Sequence, residues 1–183
     1  MRHILTLAVF LSLQFSAFAA DEIKSPAQQL DQLFGQLHGV KAPDASAQIE
    51  ANIWAIWAHN DSATAEQLLR QAVAAMNAQE YDAAEQTLIQ LVETYPNFAE
   101  AWNKRATLNY MLGRYDASLI DIEHVLELEP RHFGALAGKA MILRAQKHNG
   151  DALKVLKEAL TINPHMQSVI QAIKELEKLQ PDI

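Results

Sequence analysis

The sequence predicts an all-α solenoid, in which antiparallel helix pairs stack side by side and a C-terminal helix closes the stack. Three observations carry that prediction. Prolines recur thirty-four residues apart, at Pro96, Pro130 and Pro164. Between them, small and apolar residues return in one register. It is clearest in residues 99–132, AEAWNKRATLNYMLGRYDASLIDIEHVLELEPRH, which read as a helix, a turn centred on Gly113 and a second helix. Finally, 50% of the chain is hydrophobic, with only 6 glycines and 6 prolines among 183 residues. Such a composition suits packed helices better than sheet or disorder.

Residues 1–20, MRHILTLAVFLSLQFSAFAA, join one positive charge to an apolar run and then to the small residues Ala17 and Ala19. This is the layout of a signal peptide spanning 1–19, with cleavage expected after Ala19; Ala20 is the poorer alternative because it misplaces Phe18. The run contains Gln14 and is short for a bilayer span, so no membrane insertion is expected once it is removed. The expected location is periplasmic or secreted. The chain has no cysteine, so no N-terminal lipid anchor is expected and the core is expected to supply stability without disulfides. Fifteen basic residues against twenty-two acidic ones give a net charge of −7 without any Lys/Arg cluster, so a nucleic-acid partner is not expected.

Residues 25–60 predict a helical pair. Ser25, Pro26 and Gln28 form a capping box with proline at the first helical position, and the helix buries Leu30, Leu33, Phe34 and Leu37 and stops at Gly39. Asp44 or Ser46 then caps a second helix with Ile49, Ile53, Trp54 and Trp57 on its inner face. This pair reads as a degenerate unit covering the front end of the repeats. Its two tryptophans are either a packed cap or an aromatic binding patch.

Three repeats follow, residues 65–98, 99–132 and 133–166. The eighth place holds Ala72, Ala106 and Ala140 and the twentieth Ala84, Ser118 and Ala152, as two closely approaching helix axes require. Filling residues recur as Leu68, Trp102 and Leu136 at the fourth place, and as Leu88, Ile122 and Leu156 at the twenty-fourth. The last segment, residues 167–180, aligns Val169, Ile170, Ile173, Leu176 and Leu179 on one stripe beside Met166. It reads as a capping helix, because a solenoid otherwise ends on an apolar face.

Trp102, Ala106, Gly113, Tyr115, Ser118, Val125 and Pro130 fall where the tetratricopeptide repeat family places residues of those types, and the pattern resembles that family over about a hundred residues. Gln71, Arg105 and Lys139 stand where the family often has leucine. The third repeat lacks the turn Gly and Tyr, and its turn is expected at Asn149 and Gly150. The resemblance implies a right-handed superhelix whose concave face is lined by the first helix of each pair. It places there Leu69, Val73 and Met76, then Asn103, Thr107, Tyr110 and Met111, then Met141 and Arg144. That face is mostly apolar, and its methionines either adapt to varied apolar partners or only fill gaps. The N-terminal helix occupying the groove itself is a further alternative. Some family members grip a partner's terminal carboxylate with Lys and Asn, but Leu69, Val73, Gly134 and Gly138 stand at the matching places here, so that clamp is not expected.

No phosphate loop, nucleophile elbow or zinc-protease motif occurs, so neither an enzyme nor a cofactor is expected. His124, His132, His148 and His165 have no second ligand at helical spacing and read as solvated or hydrogen-bonded surface histidines, with no metal implied. The expected function is that of an exported adaptor that binds a protein or peptide partner through its concave face. Two rivals stand beside it: a self-assembling structural component, hence a homo-oligomer, or a carrier of a small apolar ligand.

Overall fold

The protein is described by a computed structural model over residues 25–179. The predicted signal peptide lies outside the described residues. Those residues form helices only: α1 (Pro26–Gly39), α2 (Pro43–Trp57), α3 (Ala63–Asn77), α4 (Tyr81–Thr94), α5 (Ala99–Met111), α6 (Tyr115–Leu128), α7 (Phe133–Ala145), α8 (Asn149–Ile162) and α9 (Gln167–Leu179). The capping box at α1 forms in full, with Gln28 N donating to Ser25 Oγ and Ser25 N to Gln28 Oε1. By contrast, α2 starts at Pro43, ahead of both predicted caps, Asp44 and Ser46. Its N-cap is Ala42, and the Ser46 hydroxyl donates to the Pro43 carbonyl instead.

Helices α3–α4, α5–α6 and α7–α8 are the three repeats. The eighth and twentieth places are buried in all three, and in the middle repeat Ser118 Oγ donates to Ala106 O across the contact at 2.7 Å. Each pair turns at its fifteenth place through a left-handed residue: Gln79 (φ 62°), Gly113 (φ 72°) and Lys147 (φ 64°). The third turn is therefore at Lys147 rather than at Asn149–Gly150, which open α8. The register of the solenoid demands a positive φ there whatever the residue, and lysine adopts it at the steric cost that glycine avoids.

Successive units join through the third and tenth places of each first helix. Ala101 and Leu108 of α5 enter the clusters of the first repeat, Ala135 and Ile142 of α7 those of the second, and Val169 and Leu176 of α9 that of the third. On α3 the same places carry Gln67 and Ala74, both exposed. The front of the first repeat is thus already polar and needs no cover.

Accordingly, α1–α2 do not close the front end. The pair folds across the loops that follow α6 and α8. Leu30, Phe34, Leu37, Ile53 and Trp57 bury Phe133 between them, with Ile162 and Met166 at the edge. Polar contacts fix the placement: Arg131 Nη1 to Asp31 Oδ1 at 2.6 Å, His165 Nε2 to Leu37 O at 2.9 Å, and His38 to both Phe34 O and Thr161 O at 2.8 Å.

Candidate functional site: a divided groove

Helices α3, α5 and α7 carry the concave-face residues, and the structure sorts these into two cavities. The first, about 200 Å³, lies between α5 and α7. Asn103, Thr107 and Tyr110 form one wall and Met141 the other, while Gly134, Ala137 and Gly138 leave the space open and Ala106, Ser118 and Ile122 floor it. The second, about 510 Å³, lies between α3 and α5, with Leu69, Val73, Glu100 and Lys104 around it and Trp54 at its edge.

Several predicted positions are buried or already engaged within the protein. Met76 is buried in the core between the first and second repeats, and Leu69 is mostly buried beneath its cavity. Met111 is exposed at the end of α5, and Arg144 pairs with Glu175 of α9 at 3.3 Å. Thr107 spends its hydroxyl on Asn103 O. Asn103 is itself buried, donating to Glu100 Oε2 at 2.8 Å.

Glu100 is the electrostatic centre of the groove. Its buried carboxylate also receives Lys104 Nζ at 2.6 Å and faces His132 Nε2 at 3.2 Å. Burial pushes the carboxyl up, but the His132 hydrogen bond and the Lys104 ammonium outweigh that and hold it below the usual carboxylate range. His132 Nδ1 accepts the Ala135 N–H at 3.0 Å as the cap of α7, so the ring carries its hydrogen on Nε2 and donates it to Glu100. His132 is fully buried, stacked on Trp57 with centroids 4.2 Å apart. The expectation of a surface histidine fails here because α2 folds over it. His165 is half-buried against α1, whereas His148 is exposed and His124 tilts against Trp102. Among the described residues no three His, Asp or Glu side chains are grouped to hold a metal.

Trp54 lines the second cavity and meets the first through Gly134. Its ring meets Trp57, His132 and Phe133 edge-on at 5.1–5.4 Å, and Lys104 Nζ lies 5.6 Å from its centroid. It packs onto Gly134 so closely that a Cβ there would lie 2.5 Å from Cη2. Both tryptophans therefore pack, Trp57 in the core and Trp54 half-exposed at the groove. The sequence carried a trace of this site in Gly134 and Gly138, two glycines one turn apart inside a helix, where glycine is costly unless space is needed.

A profile of the tetratricopeptide repeat matches residues 69–123. A TPR repeat-containing protein of Rhizobium etli is 41% identical over 156 residues, covering 85% of this chain and 76% of that one. The chain belongs to the tetratricopeptide repeat family. Solved structures agree on the fold. The TPR2B domain of yeast Sti1 in its pHsp70 complex superposes with a TM-score of 0.60 at 18% identity, covering 64% of this chain and 99% of that one. The first TPR of Spaghetti (RPAP3), bound to the HSP90 peptide SRMEEVD, gives 0.62 at 16%, covering 68% and 98%. A crystal structure of MamA gives 0.60 at 16%, covering 76% and 79%. In this TPR protein Arg105, at a place the family often gives to leucine, is bound bidentately by Asp121 at 2.6–3.1 Å, and Asn109 joins them. A partly buried ion pair thus holds the two helices of the middle repeat where an apolar contact would otherwise do so.

Proposed function

We propose that this TPR protein is an exported adaptor that holds an apolar segment of a partner protein in the groove between α5 and α7. The observation that carries the reading is the cavity of about 200 Å³ on the concave side, framed by Tyr110 and Met141 and floored by apolar and small side chains. Its size suits a side chain, since apolar cavities of about 150 Å³ accept a single benzene-sized group; an extended acyl chain would need a longer channel. Two of the structural neighbours are described as complexes with chaperone peptides, but Leu69 and Val73 offer no cation to a terminal carboxylate, so an apolar segment is the better match here. Export rests on the leading segment, and the groove contributes binding rather than catalysis. Among the described residues no helix is long and apolar enough to cross a membrane.

The test is crosslinking capture from an envelope extract with wild type and with a Tyr110→Glu, Met141→Glu variant of matched melting temperature. Capture by wild type alone is the expected outcome. Equal capture by both moves the binding surface elsewhere. Fractionation of the full chain, with and without residues 1–19, tests export in the same experiment.

A further inference from the structure

Helix α7 turns two glycines toward the groove one helical turn apart, and the molecule treats them differently. The notch at Gly134 is filled by an indole of the protein's own, with Trp54 Cη2 and Cζ2 at 2.5 and 3.0 Å from where a Cβ would be. The notch at Gly138 is empty. A Cβ there would meet only Ile122 Cδ1 at 3.6 Å, and the cavity of about 200 Å³ opens over it. Residues four apart share a helix face, so the two notches are neighbours in one groove and the Trp54 interface runs directly into the open cavity.

We infer that the Gly138 notch is the receptor for a single aromatic side chain of the partner, seated beside Trp54 as a second ring. This rests on the groove reading above and specifies its ligand. Three features select an aromatic ring over an aliphatic chain. The neighbouring notch on the same helix already holds an indole. The cavity has the volume of one ring. Tyr110 and the Met141 thioether flank its mouth, and both make favourable contacts with a ring, one by offset or edge packing and the other through its polarisable sulfur.

Indole is the probe, with 1-hexanol as the straight-chain control, and the readout is the methyl signals of Met141 and Ile122 in selectively labelled full-length protein. Indole is expected to shift both signals saturably, with 1-hexanol at least about tenfold weaker. Gly138→Leu fills the notch and abolishes the shift. Gly138→Ala, whose added methyl makes only an ordinary contact, weakens it by an intermediate factor and guards against a folding defect in the leucine variant. Failure of indole to shift either methyl overturns the proposal, as does undiminished binding in folded Gly138→Leu or equal binding of 1-hexanol. If indole fails while groove-dependent capture of a partner persists, the aromatic anchor alone is wrong. If indole binds while capture ignores the groove, the adaptor reading is the one that falls.

Discussion

The two ends of the solenoid solve the same problem in opposite ways. At the back, α9 sets Val169, Ile173 and Leu176 into the third repeat and turns Gln171, Lys174 and Glu175 to solvent, so a purpose-built helix hides an apolar face. At the front there is nothing to hide, because α3 places Gln67, Gln71 and Ala74 at the third, seventh and tenth positions that α9 fills with Val169, Ile173 and Leu176. A terminal repeat can be finished by adding a cover or by changing its own face. Finishing the front by composition leaves α1–α2 available to bind across the later repeats.

Three substitutions probe that contrast. The largest effect is expected at the covered end, where Leu176→Ala should destabilise by about 3 kcal/mol because it opens a cavity in a closed cluster. Gln71→Glu, at the uncovered end, should change stability by less than about 0.5 kcal/mol. Denaturant midpoints decide this, and comparable losses would mean that the front is covered in solution. A middle-sized effect is expected at the turns, which both ends share. Lys147→Gly should stabilise by about 0.5–1 kcal/mol, since relief of the left-handed strain slightly exceeds the added entropy of the unfolded chain; a lower melting temperature would rule this out.

The smallest effect concerns α1–α2, a strap that the polar front leaves free to cross the later repeats. His38 presents both ring nitrogens to carbonyl oxygens, Phe34 O and Thr161 O, and only the doubly protonated ring donates to both. Those two bonds raise its pKa above 6.5 against a small opposing effect of burial. A group whose pKa is raised on folding contributes fully below its unfolded value. That contribution is therefore present below about pH 6.5 and is lost as pH rises through the higher folded value. Wild type should lose its advantage over His38→Asn across that interval, read as the difference in melting temperature. Parallel curves would show that the imidazole does not bridge.

The repeat register, the small residues at the eighth and twentieth places and the closing helix were legible because each is a periodic packing demand written within one unit. The docking of α1–α2 was not. It depends on surfaces more than seventy residues apart, as in the contact of Trp57 with Glu129, and no local period records it. Its traces were present nonetheless: Gln67 and Gln71 where a buried face would need small or apolar groups, and Gly134 where a helix gains nothing from glycine. The burial of His132 followed from the same missing contact. The turn at Lys147 was obscured by Asn149 and Gly150, whose turn propensity the register overrides. Of the groove, the walls at Tyr110 and Met141 could be assigned by place, whereas Leu69, Met76 and Asn103 proved largely buried because the tilt of successive helices, invisible in sequence, decides how deep a given place sits.

The reach of the strap bears on how the chain folds. Contacts in a stack of repeats join neighbours only, so such molecules can fray from an end or open unit by unit. Here His38 meets Thr161 across 123 positions and His165 meets Leu37 across 128, which ties the beginning of the described chain to its last loop. Closing so long a segment adds only slowly to the entropic barrier, but it raises the mean sequence separation of contacts and slows folding relative to an open array. The return is local coupling: α1 and the third repeat hold each other through these contacts, so opening that repeat also releases α1–α2, whereas the uncovered face of α3 stays free to fray.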